Sequence, residues 1–463
     1  MALVQEYPCF EEENFKEYGE GVQRLCYAEG EKARKGMDER RRILTSLAGK
    51  VVDGCKGTKP DMSRLSPGCA LCAAGEWSCL FINGKCNGSC FYCPAPQNEE
   101  SVPASQGLNF LLPDAYADYV AGLGFRGVGF SGGEPLLTLG RTLDYIRAVR
   151  DRMGLGIHLW MYTNGILVSR ENLKALARAG LDEIRFDIGA MDYRLDRAAM
   201  AADFLPVVTV EIPAVPEEEA RLMVKIPEMA AVGIRYLNLH QLRLTPHNFK
   251  RMASRRYTYI RDAHLTVMES EITALRLLAM ARDMDLPLGV NYCSFAFKHR
   301  FQQAALRRKT SPMAAFSDEG LTENGYLRQL TLEGPVLYLE EEAARLGKIG
   351  ADPGLYRLTA RKDGLRISSE LAGIVRPGPC TGRLLYSGVR LMNMEEAPLG
   401  AKEMQFGEHC RMGRVRLPAV DPIVLGKEDL KAFLTWLAVP SEGALPEKAL
   451  PFEAVLPGLQ AYA

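Results

Sequence analysis

Three cysteines, Cys86, Cys90 and Cys93, stand as C-x3-C-x2-C, with Tyr92 immediately before the third. Thiolates at this spacing can hold three irons of a [4Fe–4S] cluster and leave the fourth without a protein ligand. An open iron is where a substrate or cofactor binds. Six of the twelve cysteines fall between residues 66 and 94. The competing reading, three reduced cysteines in a loop, leaves that bunching unexplained.

A second group precedes the first. Cys55, Cys69, Cys72 and Cys79 include a C-x2-C pair after Pro67-Gly68, a dipeptide that suits a tight turn aiming two sulfurs at one point. Four thiolates fit a closed tetrahedral site for zinc or a single iron, or the ligands of another cluster. Soft sulfur ligands do not separate zinc from iron. The alternative is that Cys55 or Cys79 is simply packed, as free cysteine often is.

The elements that must position these residues alternate short β-rich runs with helical stretches, the signature of βα units on a parallel sheet. Strands are predicted at 79–82, 127–130, 156–162, 183–188, 207–212, 236–241 and 288–292. Helices fit between them: Pro113 opens one, Ser169 caps another that ends before Gly180, Glu217 to Glu219 supply acid to a first turn, and 264–283 gives a long one. The fold class is α/β, a partial TIM-like barrel with its site at the C-terminal strand ends. Segment boundaries are placed at 1–54 (helical), 55–79 (four cysteines), 80–305 (barrel) and 306–463 (an α+β domain). In the last, Asp363-Gly364 signals a hairpin and a short helix lies near 428–437.

Candidate chemistry sits at the strand ends. The second strand runs into Gly132-Gly133-Glu134-Pro135, the third into Thr163-Asn164-Gly165. On the fourth, alternation sends Arg185 and Asp187 to one side. Glu211 ends the fifth, and Asn238 and His240 alternate on the sixth without an assigned role. The seventh exits through Asn291-Tyr292-Cys293-Ser294 to Lys298-His299-Arg300. That run reads either as a wall facing substrate or a second cofactor, or as a basic surface segment continuing to Arg307, Arg308 and Lys309.

The cysteine spacing, GGEP and TNG together resemble the radical SAM superfamily over about residues 79 to 300. The resemblance implies S-adenosylmethionine bound at the open iron, an external electron donor and a 5′-deoxyadenosyl radical that removes hydrogen from unactivated carbon. It implies that Gly132 and Gly133 let backbone approach the cofactor, that Glu134 faces its ammonium, that Arg185 pairs with its carboxylate and that Glu211 bonds a ribose hydroxyl. Tyr92, Thr163, Asn164 and Asp187 complete the expected cofactor contacts. A structural ion pair is the alternative for Arg185.

Within the superfamily, the four-cysteine segment abutting the cluster motif resembles the cobalamin-dependent protein C-methyltransferases of methanogens. Among them is the glutamine C-methyltransferase that acts on methyl-coenzyme M reductase. That likeness implies cobalamin and a protein partner, although no D-x-H-x2-G segment is present to ligate cobalt by histidine. A cobalamin-free peptide-modifying enzyme or glycyl-radical activase is the rival. Cys380 and Cys410 are too isolated to bind auxiliary clusters. A non-catalytic iron–sulfur or zinc protein is the reading from another class, and it leaves the open iron without a purpose.

Composition narrows the partners. Lys+Arg and Asp+Glu both total 57, so no net charge draws the whole chain to nucleic acid or membrane. No apolar stretch approaches a membrane span, and the first residues lack the pattern of a secretory leader. A cytoplasmic protein is expected.

Overall fold

The computed structural model describes residues 10–462. The expectation of a leaderless N-terminus bears partly on residues 1–9, which lie outside them. The seven predicted strands form: β1 (Trp77–Asn83), β2 (Gly127–Gly132), β3 (His158–Thr163), β4 (Glu183–Phe186), β5 (Val207–Pro213), β6 (Tyr236–His240) and β7 (Gly289–Cys293). Each pairs in parallel with the next in chain order. Two short antiparallel strands, Ala104–Ser105 and Leu108–Asn109, extend the β1 edge, so the sheet stays open as a partial barrel. All residues of β4 and of β7 are buried, as expected for parallel strands covered on both faces.

The helices that cover and plug this sheet are α1 (Phe10–Tyr18), α2 (Gly30–Leu47), α3 (Pro67–Ala74), α4 (Pro113–Gly122), α5 (Leu139–Met153), α6 (Arg170–Arg178), α7 (Glu219–Ala231) and α8 (Met268–Asp283). Pro113 sits in the first turn of α4. The Ser169 side chain accepts the Asn172 N–H at the start of α6. The long helix begins at Met268 rather than at 264, because Thr266–Val267 is extended and pairs with Thr258–Ile260. α2 and α8 are joined by a buried ion pair between Arg40 and Glu271, 2.7 Å. The same carboxylate accepts the hydroxyls of Tyr292 and Tyr462 at 2.8 and 2.7 Å.

Pro67-Gly68 does not make the expected turn. It opens α3, with Ser66 as the N-cap accepting the Cys69 N–H and Gly75 closing the helix at φ 74°. Cys69 and Cys72 therefore lie on one short helix.

The chain divides into two compact units. One takes the described residues up to His299 with Phe406–Cys410 and those from Pro457 onward; the other takes Arg300–Gln405 and Arg411–Leu456. The division falls at Arg300, and the described residues 10–79 group with the barrel. The second unit is α+β. An eight-stranded sheet includes β8 (Leu327–Glu333), β9 (Tyr356–Leu358), β10 (Gly364–Ile367) and β11 (Thr381–Asn393), with β8 antiparallel to both β10 and β11. The predicted hairpin forms between β9 and β10. Its reversal runs through Lys362, at φ 59°, so Gly364 already belongs to the second strand. The expected C-terminal helix spans Lys427–Ala438 and buries Leu430, Phe433 and Leu434. No helix among the described residues is long and apolar enough to cross a membrane.

Candidate functional site

A cavity of about 340 Å³ opens at the C-terminal ends of the barrel strands, where parallel barrels carry their sites. Cys86, Cys90 and Cys93 line it together with Tyr92, the β2 exit Ser131–Gly133 and the β3 exit Thr163–Asn164. The sulfurs of Cys86 and Cys90 both lie within 4 Å of the point where a Cβ on Gly88 would stand. N–H donors surround the sulfurs: Gly88 N and Asn164 Nδ2 reach Cys86 at 3.3 and 3.5 Å, and Gln97 Nε2 reaches Cys93 at 2.7 Å. Burial pushes the Cys90 thiol up to about 12, a cost that iron coordination removes by binding the thiolate. The donor set fits a [4Fe–4S] cluster held by three cysteines.

Glu134, the residue expected to face the cofactor ammonium, ties the motif loops together. It is fully buried. Its Oε1 accepts from Leu136 N (3.1 Å) and Thr163 Oγ1 (2.9 Å), its Oε2 from Asn164 N (2.7 Å), and it does not line the cavity. Asn164, held in this way, donates to Asn87 Oδ1 at 2.7 Å in the cysteine loop. The glycines serve the same junction. Gly133 N donates to Asn83 O at 2.5 Å and Glu134 N to Lys85 O at 2.8 Å. A Cβ on Gly133 would stand 2.0 Å from Lys85 O. The close approach at GGEP is thus first to the backbone leaving β1.

Arg185 and Asp187 share the cavity side, as alternation required. Asp187 accepts the Tyr92 hydroxyl on both oxygens, 2.9 and 3.0 Å. Burial raises its carboxyl to about 6 in spite of that bond. Arg185, the residue expected to pair with a methionine carboxylate, lines the cavity and is bonded within the protein. It bonds Glu183 Oε1 and Glu211 Oε2 at 2.8 Å each and Ser66 Oγ at 3.1 Å. Its guanidinium also lies over Trp160, 4.9 Å from the ring centroid. The structural ion pair forms.

Glu211, the residue expected to bond a ribose hydroxyl, lines the cavity and has three partners of its own. It takes Arg185, Asn238 Nδ2 at 3.0 Å and His240 Nε2 at 2.5 Å. Burial alone would raise its carboxyl; Arg185 and His240 outweigh that and hold it well below the usual range. The chain continues from His240 Nδ1 to Lys298 Nζ. A lysine ammonium only donates, so Nδ1 accepts and His240 is neutral with its proton on Nε2. Burial and the Lys298 charge both keep this imidazole below its ordinary range.

Among the described residues, no three His, Cys, Asp or Glu side chains gather as ligands for one metal ion, Cys86, Cys90 and Cys93 included, so this does not separate the four-cysteine group from the cluster motif. Cys69 is buried and takes Asn291 Nδ2 at 3.8 Å, Cys72 is half-buried on α3, Cys55 feels Lys59 and Cys293, and Cys79 lies on β1. α3 instead plugs the barrel floor: Gly68 N donates to Glu183 Oε2 at 3.3 Å, where the helix N-terminus favours a carboxylate.

Sequence reasoning missed the residues that steady the cysteine loop from across the barrel. Asn248 Nδ2 donates to Tyr92 O and Arg251 to Cys90 O, 3.1 and 3.2 Å. Nothing in their local sequence marks them; the chain's path after β6 brings them there. Lys298, placed on a polar strand exit, does line the cavity.

The family model described as the radical SAM superfamily matches residues 80–218. That segment carries all three cluster cysteines, GGEP and TNG, and it belongs to the radical SAM superfamily. The chain is 27% identical over 300 residues to a Methanocaldococcus jannaschii protein whose name proposes it as a glycyl-radical enzyme activating enzyme, covering 62% of this chain and 77% of that one. It is 30% identical over 113 residues to a GTP 3′,8-cyclase of Chlorobaculum tepidum, covering 24% of this chain and 32% of the cyclase. Among solved structures, Streptococcus suis SuiB bound to S-adenosylmethionine aligns with 47% of this chain and 50% of its own at 10% identity and a TM-score of 0.35. The radical SAM methyltransferase TsrM of Kitasatospora setae aligns at 15% identity, 38% of each chain and a TM-score of 0.28. Neither score carries an argument about activity.

Proposed function

We propose that this radical SAM enzyme removes hydrogen from a carbon of a protein or peptide substrate. The observation that carries the reading is the single cavity lined at once by Cys86, Cys90, Cys93 and the glycine-rich exits of β2 and β3. A [4Fe–4S] cluster and S-adenosylmethionine, fed by an external electron donor, supply the hydrogen-abstracting chemistry when bound. The chain's own part is positional. Cys86, Cys90 and Cys93 hold the cluster, and Asn164 and Gln97 donate to two of their sulfurs. Glu134 locks the three loops in register, and Tyr92 with Asp187 fixes the loop from below. The β2 exit Ser131–Gly133, which lines the cavity, orients the amino-acid end of the cofactor.

Two finer readings divide on cobalamin. One is methylation of a glutamine α-carbon in methyl-coenzyme M reductase, for which the four-cysteine segment was the sequence argument. The other is a cobalamin-free activase or peptide-modifying enzyme. The barrel cavity favours the second. Its histidine, His240, has both ring nitrogens taken. Likeness to the Methanocaldococcus jannaschii protein supports the same side.

The test is anaerobic reconstitution with iron and sulfide, incubation with S-adenosylmethionine and reductant, and assay of 5′-deoxyadenosine. Cys86→Ala, Cys90→Ala and Cys93→Ala should each abolish it, and unchanged production in any of them defeats the assignment. Stoichiometric retention of added hydroxocobalamin would restore the methyltransferase reading.

A further inference from the structure

The wall where β6 and β7 end carries two cations that have no carboxylate at ion-pair distance among the described residues. Arg243 lies three residues past His240, half-buried in the same cavity. Its guanidinium stands 5.8 Å from the ring centroid of Phe295. Lys298 follows Phe295 by three residues in the helical segment after β7; its ammonium bonds the neutral His240 and its charge acts on Glu211 from a distance. The two strand exits are fastened to one another by Phe295 N donating to Gln241 Oε1, 3.1 Å.

The carboxylates of the cavity are already spoken for. Glu211 is ringed by Arg185, Asn238 and His240, and Asp187 takes the Tyr92 hydroxyl. Arg185 is neutralised by Glu183 and Glu211. Glu17, the carboxylate whose charge Arg243 feels, lies 3.9 Å from His264 instead. Half-buried cations whose nearest carboxylates are held by other partners favour an anion placed between them. The cluster cysteines, GGEP and TNG occupy the exits of β1, β2 and β3, so this wall belongs to the part of the cavity left for substrate.

We propose that Arg243 and Lys298 form a subsite that grips a carboxylate of the substrate, the guanidinium by a two-pronged contact and the ammonium as a point charge. The proposal rests on the radical SAM reading of the cavity and names its substrate class: a peptide with an acidic side chain next to the carbon that reacts.

The test uses the full chain, cluster-reconstituted and saturated with S-adenosylmethionine, and two probes, N-acetyl-L-glutamic acid α-amide and N-acetyl-L-glutamine α-amide. Binding is followed by saturation-transfer NMR. The acid should bind and the neutral amide should not, and Arg243→Met and Lys298→Met should each weaken the acid by about tenfold or more. Circular dichroism and cluster absorbance check that both variants fold. Equal binding of the two probes, or no binding of the acid, overturns the proposal. So does a matching loss of S-adenosylmethionine affinity in the variants, which would assign the cations to the cofactor's own carboxylate. Failure of the wild-type protein to take up a cluster or cleave S-adenosylmethionine is a separate result and bears on the enzyme reading instead.

Discussion

Glu134 is a fully buried carboxylate with three internal donors, and its neighbours explain why the charge is tolerated. Burial raises its carboxyl, while Asn164 N, Leu136 N and Thr163 Oγ1 stabilise the ionised form at 2.7 to 3.1 Å. Hydrogen bonds to a charged group contribute about 1.5–3 kcal/mol each, and a buried donor left unsatisfied costs about 1–3 kcal/mol. Glu134→Gln keeps one acceptor but turns an amide N–H₂ toward backbone donors. It should lower stability by about 2 kcal/mol and release Asn164 from Cys86 and Asn87. Thermal unfolding and the fraction of chains that hold a cluster after desalting check this. A variant with unchanged stability and full cluster retention would show that the loops register without this carboxylate. The same single residue shows how a motif can be legible while the partners of one member are not. The letters GGEP locate the cavity, but which way the glutamate points depends on donors from Thr163 and Asn164, thirty residues on.

At the scale of elements, the barrel was legible because its strands are apolar runs bounded by turn residues and its helices carry their own caps. Ser169 and Pro113 act as their positions suggested. The helix α3 carried equally good signals, Ser66 and Pro67 at its start and Gly75 at its end, and was obscured by the expectation that a C-x2-C pair makes a metal turn. The wall of Arg243 and Lys298 was less legible. A lone arginine in a loop has no periodicity, and its meeting with Lys298 depends on β6 and β7 lying side by side, a tertiary fact. Asn248 and Arg251 are hidden for the same reason. Since α3 packs as a floor plug, Cys72→Ala should leave the iron content of reconstituted protein unchanged. Cys69→Ala should keep the iron too, while opening a small void beside Asn291 that lowers stability by about 1 kcal/mol. Iron and zinc analysis of both variants against the wild type decides it. Loss of a metal equivalent from either would return the four-cysteine site to consideration.

For the molecule as a whole, the charged chain through the barrel interior links folding to pH. Glu183, Arg185, Glu211, His240 and Lys298 follow one another from the floor, where α3 begins, to the cavity wall. Such a chain is weak evidence for net stability, because desolvation offsets much of the attraction, yet breaking it by removing one partner costs about 3–5 kcal/mol. Burial alone would raise the Glu183 carboxyl; Arg185 and His158 reverse this and hold it at about 2. The unfolded value is about 4.3, so the folded carboxyl is the stronger acid. Its contribution is therefore complete above about pH 4.3 and is lost as pH falls toward 2, the range in which the unfolded chain binds the extra proton. Glu211, also held below its ordinary range, acts with the same sign. Glu183→Gln should lower stability near neutral pH by about 3 kcal/mol or more and should flatten the acid limb of the stability curve. The measurement is denaturant unfolding of both proteins across pH 2.5 to 7. Parallel curves would mean that the carboxylate titrates alike in the folded and unfolded chain, and the network would then be a consequence of the barrel's packing with no hold on its stability.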